Sequence, residues 1–425
     1  MIELTKDQED GRKKTIEWYN ALDRKQIWKV SGAAGTGKTT MIYSLIDSLG
    51  LSQNEVAFAT YTGKAALVLT MRGCPATTIH KLIYEYVPLD VPVLDSEGNQ
   101  LYDEEGNEVT KEEMSFIKRD ALDSNIKLLV LDECSMIDDE MMNDLLSFDL
   151  PIIILGDAYQ LPPIKKSKLD ILENPDVVLN QIMRQKEDDP IVFLATKARH
   201  HEKIYEGQYG KSYVIPRREI DMSLNMNDHR CDKILSNSDI VLCRTNKTRN
   251  SLNGYMREEI FGITKKLPTL NDKLICRRNN WDLTLEDFES DINLNLVNGL
   301  IGYVNSPITS EDIDMSHSCF FMDFKPEVMK DNFFERIPAS TIPFINATED
   351  QKKIFEYNQY RFFKNRKEKC NTFEYAYAIT VHLSQGSSWR RVLVYDEQYG
   401  DDYFNSLYTA ITRAETQVII AKDRI

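Results

Sequence analysis

No stretch of the 425 residues is apolar over the roughly 18 positions that a membrane-spanning helix requires, so no transmembrane segment is expected. Cysteine is sparse. The seven, Cys74, Cys134, Cys231, Cys243, Cys276, Cys319 and Cys370, are scattered and form no C-x-x-C pair. They read as reduced thiols, with neither a zinc site nor a disulfide framework. The segment Met1 to Arg12 is polar and charged and lacks the apolar core of an export signal. A cytoplasmic setting is expected, that of the host were the source a virus. Internal repeats, low-complexity tracts and long flexible linkers are absent too. Positive charge is in short supply, with 52 Lys and Arg against 67 Asp and Glu, a net charge of -15. This deficit argues against a broad basic face for polyanions. A groove needs only local charge, however, and the charges are uneven. Asp90 to Glu113 is densely acidic, while Arg277-Arg278, Lys364 to Lys369 and Arg390-Arg391 are basic. Taken singly, each basic run reads as a solvated face.

What is present begins with a short apolar-rich run, Gln26 to Ser31, then Gly32-Ala33-Ala34-Gly35-Thr36-Gly37-Lys38-Thr39, then an apolar-periodic stretch to Leu49. This is strand, loop and helix, with G-x-x-x-x-G-K-T in the loop. The glycines let successive backbone N–H groups converge on phosphate oxygens, with the positive end of the helix behind them. Lys38 would reach the β- and γ-phosphates and Thr39 would ligate Mg²⁺. A second strand-like run, Ile126 to Leu131, ends in Asp132-Glu133-Cys134-Ser135. Beside such a loop, Asp132 can hold Mg²⁺ through water, and Glu133 can orient and deprotonate an attacking water. A third run, Pro151 to Leu155, leads into Gly156-Asp157-Ala158-Tyr159-Gln160-Leu161-Pro162-Pro163. Gln160 has the reach to sense a γ-phosphate, although taken alone the segment is a polar turn closed by prolines.

The order of these motifs resembles superfamily 1 DNA helicases. Leu4-Thr5-x-x-Gln8, GAAGTGKT, Ala59-Thr60-Tyr61-Thr62-Gly63-Lys64-Ala65-Ala66, Thr77-Thr78-Ile79-His80, DECS and GDAYQLPP look like the family's first motor domain. Ile182-Met183-Arg184-Gln185 is similar to its first arginine motif, Tyr377 to Ser387 to motif V, and Leu407 to Ala414 to motif VI. The wording of the last two resembles the 5′-to-3′ branch, the RecD-like, Pif1-like and phage Dda-type helicases. The resemblance implies an α/β fold of two RecA-like parallel-sheet motor domains, with ATP and Mg²⁺ as cofactors. It implies that Gln8 reads the adenine edge, while Gly32, Ala33, Gly35, Thr36, Gly37, Lys38, Thr39 and Thr40 hold the nucleotide. Lys38, Glu133 and Gln160 would act in catalysis, with Arg184 and Arg413 as arginine fingers. Thr60, Thr62, Lys64, Thr78, His80, Thr380 and His382 would touch DNA, and Gln385 and Gly386 would couple strand to nucleotide. For any one of these threonines the plainer alternative is a helix cap, and for either histidine a satisfied ring.

The coarse reading divides the chain into a first motor domain at 1–87 and 120–186 and a second at 187–263 and 373–425. Two small β units interrupt them. Residues 88–119 contain Val91 to Asp95, a turn at Ser96-Glu97-Gly98-Asn99, and Gln100-Leu101-Tyr102, a hairpin pattern. Leu101 and Tyr102 are its candidates for a strand-separating pin. Residues 264–372 form the second insert, where relatives hold an SH3-like barrel. The expected partners are single-stranded DNA and forked duplex, with replication or recombination proteins as a further class and a monomer as the working unit. Two other functions fit the same residues less fully: a P-loop ATPase that remodels nucleoprotein without unwinding, and a non-enzymatic nucleic-acid-binding accessory protein. A GTPase is disfavoured because Thr245-Asn246-Lys247-Thr248 lacks the aspartate that reads guanine, and no nuclease carboxylate cluster is apparent.

Overall fold

The computed structural model describes residues 4–71, 73–92, 100, 102, 108, 110–162, 172–181, 189–220, 229–287, 292–345, 347–348, 351–353, 355 and 370–423. Arg184 and Leu101 lie outside them. Among the described residues no helix is long and apolar enough to cross a membrane.

Among the described residues there are three sheets of six strands, two of them largely parallel and the third that of the second insert. The first is wholly parallel, in the order Ala76–Thr78, Val56–Thr60, Leu128–Asp132, Ile152–Gly156, Ile27–Gly32, Val177–Leu179. Its central strands read LLVLD and IIILG and are buried almost throughout. Continuous apolar runs suit strands covered on both faces. The second sheet runs Ala378–Thr380, Ile240–Cys243, Trp389–Tyr395, Ala414–Lys422, Ser212–Pro216, Gly207–Tyr209, parallel except for the last pair. The short strands at 76–78, 177–179, 207–209 and 212–216 were not anticipated. Each has no more than five residues, too few for a period to emerge from sequence.

The first insert is an antiparallel ribbon in which Tyr84–Pro92 pairs with Thr110–Lys118, Tyr84 opposite Lys118 and Pro92 opposite Thr110. Of the hairpin expected at 91–102, Val91 and Pro92 fall in the first arm, which starts earlier, at Tyr84, while 93–99 and Leu101 lie outside the described residues. Exposed Tyr102 makes an isolated bridge to Glu108.

The second insert is an antiparallel sheet, in which Lys273–Cys276 lies between Ile301–Val304 and Phe373–Tyr375. The insert sheet therefore reaches Tyr375, three residues past the expected return, since Phe373 is fully buried with Phe324 and Phe320 in the insert's core. At its base Arg257, from the unit of the second sheet, donates from Nε and Nη2 to the two carboxylate oxygens of buried Asp272, both at 2.9 Å. Tyr377 donates to the same carboxylate at 2.8 Å. A fully satisfied buried ion pair of this kind fixes geometry more than it adds stability. Cys319 and Cys370 are joined as a disulfide inside this insert, contrary to the expectation of free thiols. The two lie 51 positions apart, a pairing that only the folded chain reveals. The other five cysteines are buried and form no disulfide among the described residues.

Candidate functional site

The strand Ile27–Gly32 delivers the glycine-rich loop to the edge of the first sheet. Gly35 and Gly37 have φ of 82° and 74°, backbone states that a side chain would strain. Helix Lys38–Leu49 starts at Gly37 with no side-chain cap, leaving its first N–H groups free for an anion. Lys38 Nζ donates to the carbonyls of Gly32 at 2.7 Å and Ala33 at 3.3 Å, which holds its ammonium inside the loop.

Thr39, in the first turn of that helix, donates from Oγ1 to Asp132 Oδ2 at 3.4 Å, at the end of the strand Leu128–Asp132. A hydroxyl and a carboxylate oxygen side by side suit Mg²⁺, which keeps several waters and takes few protein ligands. Glu133 follows in the left-handed region, with φ 53°, a conformation that costs a residue other than glycine. Burial raises its carboxyl above the ordinary range. The nearby Arg413 and Lys38 pull it back, and Asp132 and Asp157 push it further up.

The opposite wall belongs to the second motor unit. Arg413 is buried, donating from Nε to Thr409 O at 3.2 Å and from Nη1 to Ser387 O at 3.2 Å. Gln160 is buried as well, and its Oε1 has no hydrogen-bond partner among the described residues. Gln385 donates to Leu161 O at 3.3 Å, which joins the second unit to the segment carrying Gln160. Gly386 adopts φ 73°, and a Cβ there would come within 2.9 Å of Ala65. Lys38, Thr39, Asp132, Glu133, Gln160, Gly386 and Arg413 line one cleft of about 610 Å³ that also receives Thr40, Thr60 and Ser387. Small-molecule pockets typically span roughly 300–1,000 Å³. Free backbone amides, a lysine, a hydroxyl–carboxylate pair and an arginine around one volume fit a magnesium nucleoside triphosphate.

Other expected residues are placed differently. Gln8 is buried and uses both ends of its amide on the chain itself: Oε1 accepts from Thr5 N at 2.9 Å, and Nε2 donates to Thr36 O at 2.9 Å. It braces the phosphate loop, and reading adenine would require exchanging these bonds. Of the strand-binding set, Thr60, Lys64, Thr78 and Thr380 are buried. Thr60 donates to Thr62 O, Thr62 accepts from Ala65 N, and Thr78 caps the helix Ile79–Ile83. Lys64 lies in the nucleotide cleft with Nζ 4.9 Å from the centre of the Trp389 ring, and burial lowers its pKa to about 8. His80 packs among Tyr61, Tyr84 and Phe116, and burial lowers its pKa, as it does for His382. Sequence reasoning missed Glu327 and Val328 of the second insert, which also line the cleft. Nothing local marks them, since they come from a unit with no motif of its own.

A family model described as an AAA domain matches residues 10–209, and one described as a UvrD-like helicase C-terminal domain matches residues 375–421. The chain is similar to the ATP-dependent DNA helicase dda of Enterobacteria phage T4, 26% identical over 260 residues that cover 57% of this chain and 54% of that protein. It is similar over more of its length to the ATP-dependent DNA helicase Pif1 of Campylobacter jejuni, 23% identical over 420 residues, covering 91% of this chain and 86% of the other. Among solved structures, Bacteroides Pif1 bound to single-stranded DNA aligns with a TM-score of 0.50 at 14% identity, over 99% of this chain and 92% of that one, a likeness of fold. The chain spans about half or less of the length of several curated relatives it matches, with shares of 37%, 54% and 22%.

Proposed function

We infer that this chain, which belongs to the superfamily 1 helicases of the 5′-to-3′ branch, hydrolyses ATP to travel along single-stranded DNA and to part the duplex ahead of it. The observation that carries the reading is the two-sided cleft, in which Lys38, Thr39, Asp132, Glu133 and Gln160 on the first motor unit face Arg413 on the second. Bound Mg-ATP supplies the phosphoryl group and the metal charge that assists its transfer. Glu133 is the base: a carboxyl raised by burial is a stronger proton acceptor than an exposed one. Lys38 and Arg413 place positive charge on the two sides of the transferred group, and Gln160 presents an unpaired amide oxygen to the cleft. Arg184 is assigned as a second finger on its motif alone.

Motion follows from the division of the site. Any change at the cleft that draws the units together must also move Gln385 and Gly386 against Leu161 and Ala65. The ribbon 84–118 projects from the first sheet next to His80, and its tip is assigned as the pin.

The test is strand displacement on duplexes carrying a 5′ or a 3′ single-stranded tail, with ATPase measured alongside. Unwinding of the 5′-tailed substrate, with ATPase stimulated by single strands, is expected. Stimulated ATPase with no displacement on either substrate would favour a remodelling ATPase instead. In the same assay, replacing residues 95–105 by a short Gly-Ser turn should keep the stimulated ATPase and lose most displacement.

A further inference from the structure

Helix Tyr403–Ile411 of the second motor unit lies across the loop 157–161 of the first, and most of its bonds there go to backbone. Thr409 Oγ1 accepts from Leu161 N at 2.9 Å, and Asn405 Nδ2 donates to Tyr159 O at 3.1 Å. Tyr408 differs. Its ring is 2% exposed, and its hydroxyl donates to Asp157 Oδ2 at 2.7 Å. Ala33 and Ala34 of the phosphate loop line one small cavity with Arg199 and Tyr408. Burial and the Asp157 carboxylate keep the phenol protonated, so its hydrogen remains committed to Asp157. One hydrogen bond thus joins the helix that leads to Arg413 to the segment that carries Gln160, beside the loop that cradles phosphate.

We propose that Tyr408 is a positioning residue for hydrolysis, whose hydroxyl sets the register of Arg413 against the phosphate loop by anchoring its helix to Asp157. The physical reason is leverage. Arg413 lies five positions beyond Tyr408, just past the end of the same helix, and among the described residues its guanidinium is braced by carbonyls and a hydroxyl of its own unit. Its distance from the phosphate loop depends on where that helix docks. Tyr159 packs edge-on against Tyr408 with centroids 6.2 Å apart, and Arg199 lies 4.9 Å over the Tyr159 ring, so the phenol is held laterally and only its hydroxyl reads the loop. A displacement of about 1 Å at a reacting centre can cost on the order of a hundredfold in rate.

The proposal rests on the nucleotide-cleft reading above, and Tyr408→Phe tests it because the ring stays and the hydroxyl goes. Basal and DNA-stimulated ATPase are measured for wild type, Tyr408→Phe, Arg413→Ala and the double variant, with the urea midpoint of each. The expected result is a kcat lowered about tenfold or more in Tyr408→Phe, an unchanged KM for ATP, and no further loss when the change is added to Arg413→Ala. An unchanged kcat overturns the proposal. So does a loss that multiplies with that of Arg413→Ala, which would make the hydroxyl act apart from the finger. A raised KM with a lowered urea midpoint would make it structural cement and overturn it equally. If the wild type hydrolyses ATP at a rate indifferent to DNA, the helicase reading fails, while the effect of the hydroxyl is still read from the basal rate.

Discussion

At the nucleotide cleft, residues from seven separate segments line one volume, whereas around helix Gly63–Met71 the side chains assigned to the strand turn inward. In the cleft, Lys38, Asp132, Glu133, Gln160 and Arg413 line one volume. Around the helix, Thr60 and Thr78 spend their hydroxyls on local backbone, and Lys64 lies over Trp389. The second insert accounts for the contrast. Leu67 of that helix is buried in the insert's own core with Leu294, Leu296 and Val297, and Gly63 packs against Val297 with no room for a side chain. Nucleotide chemistry is set by how a loop leaves a strand, which is local. Access of a nucleic-acid strand depends on where a separate unit docks, which is not.

The largest expected effect would break the comparison on the nucleotide side. Glu133→Gln should lower DNA-stimulated kcat by about a thousandfold while nucleotide still binds, and Arg413→Ala should lower it by about as much while leaving DNA binding intact. Single-turnover ATPase with a fluorescent nucleotide as the binding probe checks both. A Glu133→Gln rate near that of the wild type would remove the base from the cleft.

A smaller effect tests the covered face. A Cβ at Gly63 would lie 2.5 Å from Val297 Cβ, a branched neighbour that cannot simply swing aside. Gly63→Ala should therefore destabilise the chain by about 1–3 kcal/mol in urea unfolding, with nucleotide affinity unchanged. An unaltered midpoint would mean that the insert does not rest on this helix in solution.

The smallest effect concerns Lys64. Burial lowers its pKa to about 8 from 10.5, so across that window the unfolded chain holds a proton that the folded chain has released. Stability then rises with pH through the window, by at most about 1.4 kcal/mol per pH unit for one proton. The difference in unfolding free energy between wild type and Lys64→Met should grow in favour of wild type from pH 7.5 to pH 9.5. A difference independent of pH would place this ammonium in water and reopen the face to DNA.

The legible parts share a physical trait. GAAGTGKT could be read because Gly35 and Gly37 need backbone states that only glycine adopts cheaply, and DECS because a carboxylate at the end of a buried strand has few other uses beside such a loop. The ribbon was read in kind but misplaced in extent, since nine paired residues on each arm leave no strict alternation in Tyr84–Pro92. Glu327 could not have been found. It enters the cleft from an antiparallel sheet, and its carboxylate is held below the ordinary range, burial opposing but Lys273 and Lys64 outweighing it.

By itself, the sequence pointed to two α/β units built on largely parallel sheets, to the glycine-rich loop, and to Asp132, Glu133 and Arg413, which line one cleft. Each of these depends on a few contiguous residues whose backbone geometry and chemistry leave little choice. The tertiary structure alone decided that Gln8 braces the loop, that Cys319 meets Cys370, that Tyr408 spans the two units, and that the second insert covers the helix assigned to the strand. Those outcomes depend on how separately folded surfaces dock, and docking is fixed by shape and burial summed over residues far apart in the chain.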